Sequence, residues 1–382
     1  MKQHSDPYQW FFPIGIFFGI IGTGLWIAFH FHFIHFYPGL IHTELMTTGF
    51  VMTVALGFLM TAIPRFTGTH SATFLEKSIL LFLVLTIFLS AFLTQRTLFH
   101  LTSVLEIFFI IYFMGTRLLE CKFYPPPSFV LIAFGFIGSL LAHVCLLMGT
   151  HLALARLFLN YGLVSCLVLG VGTQLIPALL GLKKTGLSNI QEGQKNKFDG
   201  KKITTFIVLG FLLLFSFLIE AKGFFQAGRF LRAFLILVIV INQWRIHHIP
   251  KTAGIFSWCL WISAWMFVIG LWPGVFWPYY AIHGAHILFI GSVSLMIFTV
   301  ATRVTLSHGG YDLSLEVRSR GLLFLIIFFI LALVSRLAAP LVKSYFPHLA
   351  GASTLWIVGV IIWSVHFLKK VFYRNKPSED NC

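Results

Sequence analysis

The chain has 382 residues, of which 58% are hydrophobic, while Asp, Glu, Lys and Arg together reach only 10%. About a quarter of a soluble domain is charged, so this composition excludes a water-soluble globule and makes the lipid bilayer the solvent. A formal net charge of +15 would suit nucleic acid, but the basic residues gather between apolar runs, and no nucleic-acid partner is implied.

Apolar runs of about 20 residues recur from Phe11 onward, each long enough to cross a hydrocarbon core of roughly 30 Å as a helix. In chain order they predict spans over Phe11–His30, Thr43–Ile63, Ser78–Leu93, Leu98–Thr116, Phe129–Met148, Leu152–Leu180, Ile203–Glu220, Phe230–Trp244, Thr252–Trp272, Tyr280–Thr302, Gly321–Ala338 and Leu349–Leu368. None shows the short alternation of a barrel strand. The predicted fold is all-α, a polytopic transmembrane helix bundle of about 12 helices in a single domain, 1–382. Six spans fall in 7–182, a basic linker in 183–202, six more spans in 203–370 and a tail in 371–382. The first span follows Lys2 without a small-residue cleavage site, which suits a retained anchor.

Basic residues set the orientation. With a cytoplasmic N-terminus, 20 of the 27 Lys and Arg residues lie on the inner side, leaving 7 outside. That asymmetry places both termini in the cytoplasm. The Lys183 to Lys202 stretch then reads as a solvated loop facing anionic headgroups.

Cys121, Cys145, Cys166, Cys259 and Cys382 form no C-x-x-C and no C-x-x-C-H, so neither a disulfide framework nor a covalently attached c-type haem is expected. The sequence has no phosphate-binding loop, dinucleotide fingerprint or nucleophile elbow. ATP-driven and hydrolytic roles have no support.

Histidine is where chemistry concentrates. Of 16 copies, ten fall at or near the outer ends of predicted spans: His30, His32, His35, His42, His100, His143, His151, His283, His286 and His348. Charge-driven topology explains why Lys and Arg avoid that side, but it does not ask for His in their place. Neutral imidazole is a common ligand of transition metals and haem. His30, His32 and His35 read either as an interfacial loop interleaved with aromatic rings or as a site for copper or another metal. His32 and His35 share a face if the first helix continues that far. His283 and His286, three residues apart, fall on one helical face at the start of span ten. A haem needs two imidazoles from different helices at one depth, so His42 and His286 are the expected pair, with His283 as a substitute.

Gly49, Thr53, Gly57 and Thr61 form a small-residue stripe on span two. It suits close helix approach or room for a flat macrocycle beneath His42, with Gly291, Ser292 and Ser294 in the same role on span ten. Met46, one turn deeper than His42, is a conceivable thioether ligand. Glu44 is interfacial or orients a ligating imidazole. Glu106 is the one acid in the middle of a span and reads as a catalytic proton-handling group or as a neutral hydrogen-bonded packing residue.

These residues carry a resemblance. His42-Thr43-Glu44-Leu45-Met46-Thr47-Thr48-Gly49-Phe50, then Gly57-Phe58-Leu59-Met60-Thr61-Ala62-Ile63-Pro64 and Thr67-Gly68, resemble the NnrS signature H-x-H-E-M-x-x-G-F, G-F-L-x-T-A-x-P and x-W-T-G. His42, Met46, Gly49 and Phe50 match, whereas the family's second His falls on Glu44 and its Glu on Leu45. A second stretch, from His286 through Leu288 and Gly291 to Thr302-Arg303-Val304-Thr305-Leu306-Ser307-His308-Gly309-Gly310, is similar to H-A-L-T-x-G and M-T-R-V-[ST]-L-G-H-[ST]-G. It matches at His286, Arg303 and His308. Weaker echoes are Pro7-Tyr8 with Phe11-Phe12, Gly172-x-Gln174-x-Ile176-Pro177, and Gln243-Trp244-Arg245.

The resemblance implies a haem- and copper-binding bacterial inner (cytoplasmic) membrane protein associated with nitric oxide and nitrosative stress. Its haem would be non-covalent and b-type, with Arg303 and His308 among the motif residues that serve cofactor binding. Twelve helices with His at the outer ends of spans two and ten are also similar to subunit I of haem–copper oxidases. Span seven has no His and span six lacks H-P-E, so the oxidase-type binuclear centre is not expected. Three functions compete. One is a haem protein handling nitric oxide by binding or as an oxidoreductase fed by an electron donor; another is a proton- or metal-ion transporter or channel using membrane histidines; the third is a haem-based sensor. A transporter predicts interrupted helices in corresponding positions of two halves.

Overall fold

The computed structural model describes residues 5–183 and 199–373, and among them the regular structure is helical throughout. Most of the basic linker (184–198), the tail from 374 to Cys382, and Lys2 lie outside the described residues.

Twelve helices among the described residues are long and apolar enough to cross a membrane. They are α1 (Pro7–His30), α2 (Gly39–Thr67), α3 (Phe74–Phe92), α4 (Arg96–Leu119), α5 (Phe129–Leu147), α6 (Leu152–Leu179), α7 (Gly200–Ala221), α8 (Phe225–Trp244), α9 (Ile255–Phe276), α10 (Pro278–His308), α11 (Ser314–Leu341) and α12 (Tyr345–Phe372). Every predicted span has its helix. The ends differ, since α2 begins at Gly39 rather than Thr43 and α10 runs on to His308. Hydropathy reports where hydrocarbon is met, whereas backbone hydrogen bonding continues into the headgroup layer. One end falls earlier than the His pattern requires: α1 stops at His30, and His32 takes a left-handed conformation (φ 58°). His32 and His35 therefore share no helical face.

Lipid tails are as apolar as Leu, so helices associate by close packing and polar ties rather than by escaping water. Consecutive helices pack in pairs, and α1 also packs on α12. Gln9 Nε2 donates to the Val371 carbonyl at 2.7 Å, joining the start of the first span to the end of the last. The start of α1 and the end of α12 thus stand together at one end of the bundle, as an even number of helices requires.

Several charges inside the spans are tied to opposite charges, because an uncompensated ion in low dielectric is costly. Arg117 grips Glu76 through two nitrogens at 2.5 and 2.8 Å. Glu220 accepts from Arg229 at 2.7 Å and Arg232 at 2.5 Å. Arg303 holds Glu316 in a two-pronged pair. An aromatic cluster joins four helices at mid-bundle: Phe50 of α2, Phe298 of α10, Phe329 of α11, and Trp356 and Trp363 of α12. Phe329 and Trp356 stack with centroids 5.7 Å apart and planes 5° apart. Each such pair contributes about 1 kcal/mol beyond burial.

Four helices widen into π-helical segments: Leu45–Val51 in α2, Phe158–Gly162 in α6, Val240–Trp244 in α8 and Ile287–Ser294 in α10. An i→i+5 turn costs hydrogen-bond geometry and recurs at functional sites. Hydrophobic periodicity does not reveal it.

Candidate functional site

Three of those π segments, in α2, α6 and α10, converge on a cavity. It measures about 290 Å³ and lies among α1, α2, α6, α10, α11 and α12. Met46, Thr47 and Val51 reach it from the widened part of α2, Asn160 and Tyr161 from that of α6, and Phe289, Ile290, Val293 and Ser294 from that of α10. Trp26 and Trp356 add aromatic wall. A mostly apolar enclosure with a few converging polar groups is the usual form of a small-molecule site, and this volume is at the lower edge of the range.

His42 and His286 both line it. The two come from separate helices and are held alike. His42 Nδ1 lies 2.9 Å from the Gly22 carbonyl oxygen of α1, and His286 Nδ1 lies 2.8 Å from the Ile282 carbonyl oxygen one turn back in α10. A carbonyl only accepts, so each Nδ1 carries the proton and each neutral ring keeps its lone pair on Nε2. Metal-binding imidazoles are commonly oriented in this way, by a backbone carbonyl on the far nitrogen. Both rings therefore offer an Nε2 lone pair at one cavity, the donor type that a haem iron takes.

Gly22 does two things at once. A Cβ there would stand 2.8 Å from the Leu45 Cβ, so only glycine lets α2 approach closely enough for His42 to reach the Gly22 carbonyl. Met46, one turn along, also lines the cavity, and its sulfur accepts from the Thr23 hydroxyl at 3.3 Å.

Other expected site residues stand elsewhere. His283 does not line the cavity with His286. Its Nδ1 accepts from the Arg336 guanidinium at 2.5 Å, and its ring is edge-on to Tyr345. Two residues on one helical face were expected to share an environment, but the α11 and α12 ends intervene. Glu44 is paired with Arg96, so the group that orients His42 is a carbonyl rather than this carboxylate. Arg303 and His308 belong to the opposite end of α10, roughly 25 and 30 Å along the helix from His286. There Arg303 is tied to Glu316, and His308 meets Arg65 and the Tyr8 ring.

The stripe on α2 is filled by α1. A Cβ on Gly57 would lie 2.7 Å from the Phe11 Cβ, and one on Gly49 3.5 Å from the Phe18 Cβ. It serves helix approach, and no macrocycle space remains along it. On α10, Ser294 lines the cavity, whereas Gly291 faces Met266 and Leu333. His30, His32 and His35 sit at and beyond the end of α1. Among the described residues, no three His, Cys, Asp or Glu side chains stand together as a metal site. A three-ligand copper centre has no residues assembled for it there among the described residues.

Glu106 is 1% exposed in α4, and its Oε1 has no hydrogen-bond partner among the described residues. It does not line the cavity. Nearer the outer end of the same helix, His100 Nδ1 lies 3.0 Å from His143 Nδ1 of α5. One of these two rings must donate to the other.

The NnrS family model, described as NnrS protein, matches residues 4–374. The chain belongs to the NnrS family. Comparison with curated proteins gave no match. On this NnrS-family chain the motif residues divide by depth: His42, Met46 and His286 meet at the cavity, while Arg303 and His308 brace the opposite face. Sequence reading missed Arg336, Trp26, Tyr161 and Trp356, all of which line the cavity. Arg336 alone left a signal, as one of the few basic residues on the side that Lys and Arg avoid.

Proposed function

We propose that this NnrS-family membrane protein holds a non-covalent, b-type haem between His42 and His286 on the outer side of a bacterial cytoplasmic membrane and uses it to handle nitric oxide. The observation that carries this reading is the pair of imidazoles from α2 and α10 on one cavity, each with Nδ1 fixed on a carbonyl and Nε2 free to ligate. A haem bound there would supply one-electron redox chemistry and an iron able to take nitric oxide as a ligand.

The protein's own part is positioning. Gly22 and Ile282 hold the two rings in the ligating tautomer. Trp26, Phe289 and Trp356 line the cavity with apolar surface, which suits a small uncharged gas. Met46 stands within the same cavity as a further soft donor. Redox turnover requires a separate electron donor, and Glu106 is the group suited to holding a proton inside the bundle.

The transport alternative loses ground on helix interruptions. The π segments of α2 and α8 occupy corresponding positions in two six-helix halves, but the α8 segment does not line the cavity. The segments of α6 and α10 do line it, and they do not correspond.

The test is an optical spectrum of the full-length protein purified in detergent after haem-replete expression. A Soret band that shifts on reduction and again with nitric oxide is expected. No Soret absorption would sink the proposal.

A further inference from the structure

Arg336 is the one buried arginine among the described residues that has no carboxylate partner. It is 7% exposed and stands near the outer end of α11. On that face Arg96 is paired with Glu44, Arg229 and Arg232 share Glu220, and Arg156, Lys222 and Lys343 are exposed to solvent or headgroups. Arg336 has only neutral company. Its NH1 donates to His283 Nδ1, and the Tyr345 ring packs edge-on against that same His283 ring. An arginine near a helix end can snorkel to water, but this one turns inward and lines the cavity. A guanidinium is always charged and offers five donors in a flat fork. His283 and Tyr345 leave donors of that fork without an anion, in a place where an unpaired charge is expensive.

We infer that Arg336, steadied by His283 and Tyr345, is the seat for an oxyanion or carboxylate bound in this cavity. Resting on the haem reading, the fitting source is a carboxylate of the prosthetic group, whose iron would sit between His42 and His286. A free small carboxylate or oxyanion is the other source of the same chemistry. This arrangement accounts for His283, which the cavity does not use as a ligand: it is a positioning residue for Arg336, and its Nδ1 accepts because the guanidinium can only donate.

The experiment uses full-length apoprotein from haem-depleted expression, titrated with haemin and with haemin dimethyl ester, whose carboxylates are uncharged. Wild type should bind haemin at least about tenfold tighter than the ester. Arg336→Gln should bind both alike, and Arg336→Lys should keep part of the preference because it keeps the charge. In parallel, the melting temperature of each apoprotein is followed with added formate. Equal binding of haemin and ester, together with formate stabilisation of wild type but not of Arg336→Gln, would identify a free anion as the occupant. A wild type that shows neither preference nor formate response, or variants that match it in both, would overturn the inference. Failure of wild type to bind either haemin or its ester would overturn the haem reading alone, and the formate arm would still decide the anion seat.

Discussion

His42 Nδ1 and the carbonyl oxygen of Gly22 lie 2.9 Å apart, across the α1–α2 interface. The contact fixes which nitrogen of a cavity-lining imidazole is free. It exists because residue 22 lacks a side chain, so an imidazole's chemistry depends on the packing of a neighbouring helix. Replacing Gly22 with Ala should push α2 away from α1 and weaken haem binding by about tenfold, the lower end for losing an outer partner of a ligand. Gly24→Ala is the matched control, since its added Cβ would meet only Ile357 Cδ1, at 3.9 Å. Equal haem affinity in the two variants would show that the carbonyl contact has no bearing on ligation.

The ligand pair is tested by purifying His42→Ala, His286→Ala and His283→Ala side by side. The first two should lose most of their haem and the spectrum of a six-coordinate iron. His283→Ala should retain the haem, because its ring faces Arg336. Native spectra in both His42→Ala and His286→Ala would refute the assignment.

Glu106→Gln should leave the haem spectrum intact and lower protection of cells against nitric oxide. The amide matches the acid in shape but cannot take up or release a proton. If protection were unchanged, Glu106 would be left as a packing residue.

Glu316→Gln should lower the stability of the detergent-purified protein by about 2 kcal/mol, because the half-buried Arg303 would keep its charge and lose its charged partner. Thermal unfolding measures the loss. Haem content should be unaffected, since Arg303 stands at the end of α10 remote from His286; selective loss of haem would return Arg303 to the cofactor site.

Reporter fusions test orientation. Fusions in the Lys183 to Lys202 stretch and at Cys382 should report the cytoplasm, and fusions in the His30 to His42 loop the outer side. Opposite sides for the two cytoplasmic fusions would break the orientation drawn from basic residues.

The twelve spans were legible in the sequence because crossing hydrocarbon is a local demand: about 20 consecutive residues must be apolar wherever the helix stands. That His42 and His286 stand at one depth was legible for a related reason, since a position at the outer end of a span fixes depth without knowledge of neighbours. What depends on which helices touch was not legible. The Gly49 to Gly57 stripe suits a macrocycle or a helix equally until α1 is seen to lay Phe11 and Phe18 along it. His283 and His286 look equivalent at a spacing of three until α11 brings Arg336 to one of them. The tautomers of the two cavity imidazoles, the π segments that turn three helices toward one space, and the buried arginine without a carboxylate are tertiary facts. Each is set by atoms distant in the chain, and hydrophobic periodicity carries no information about them.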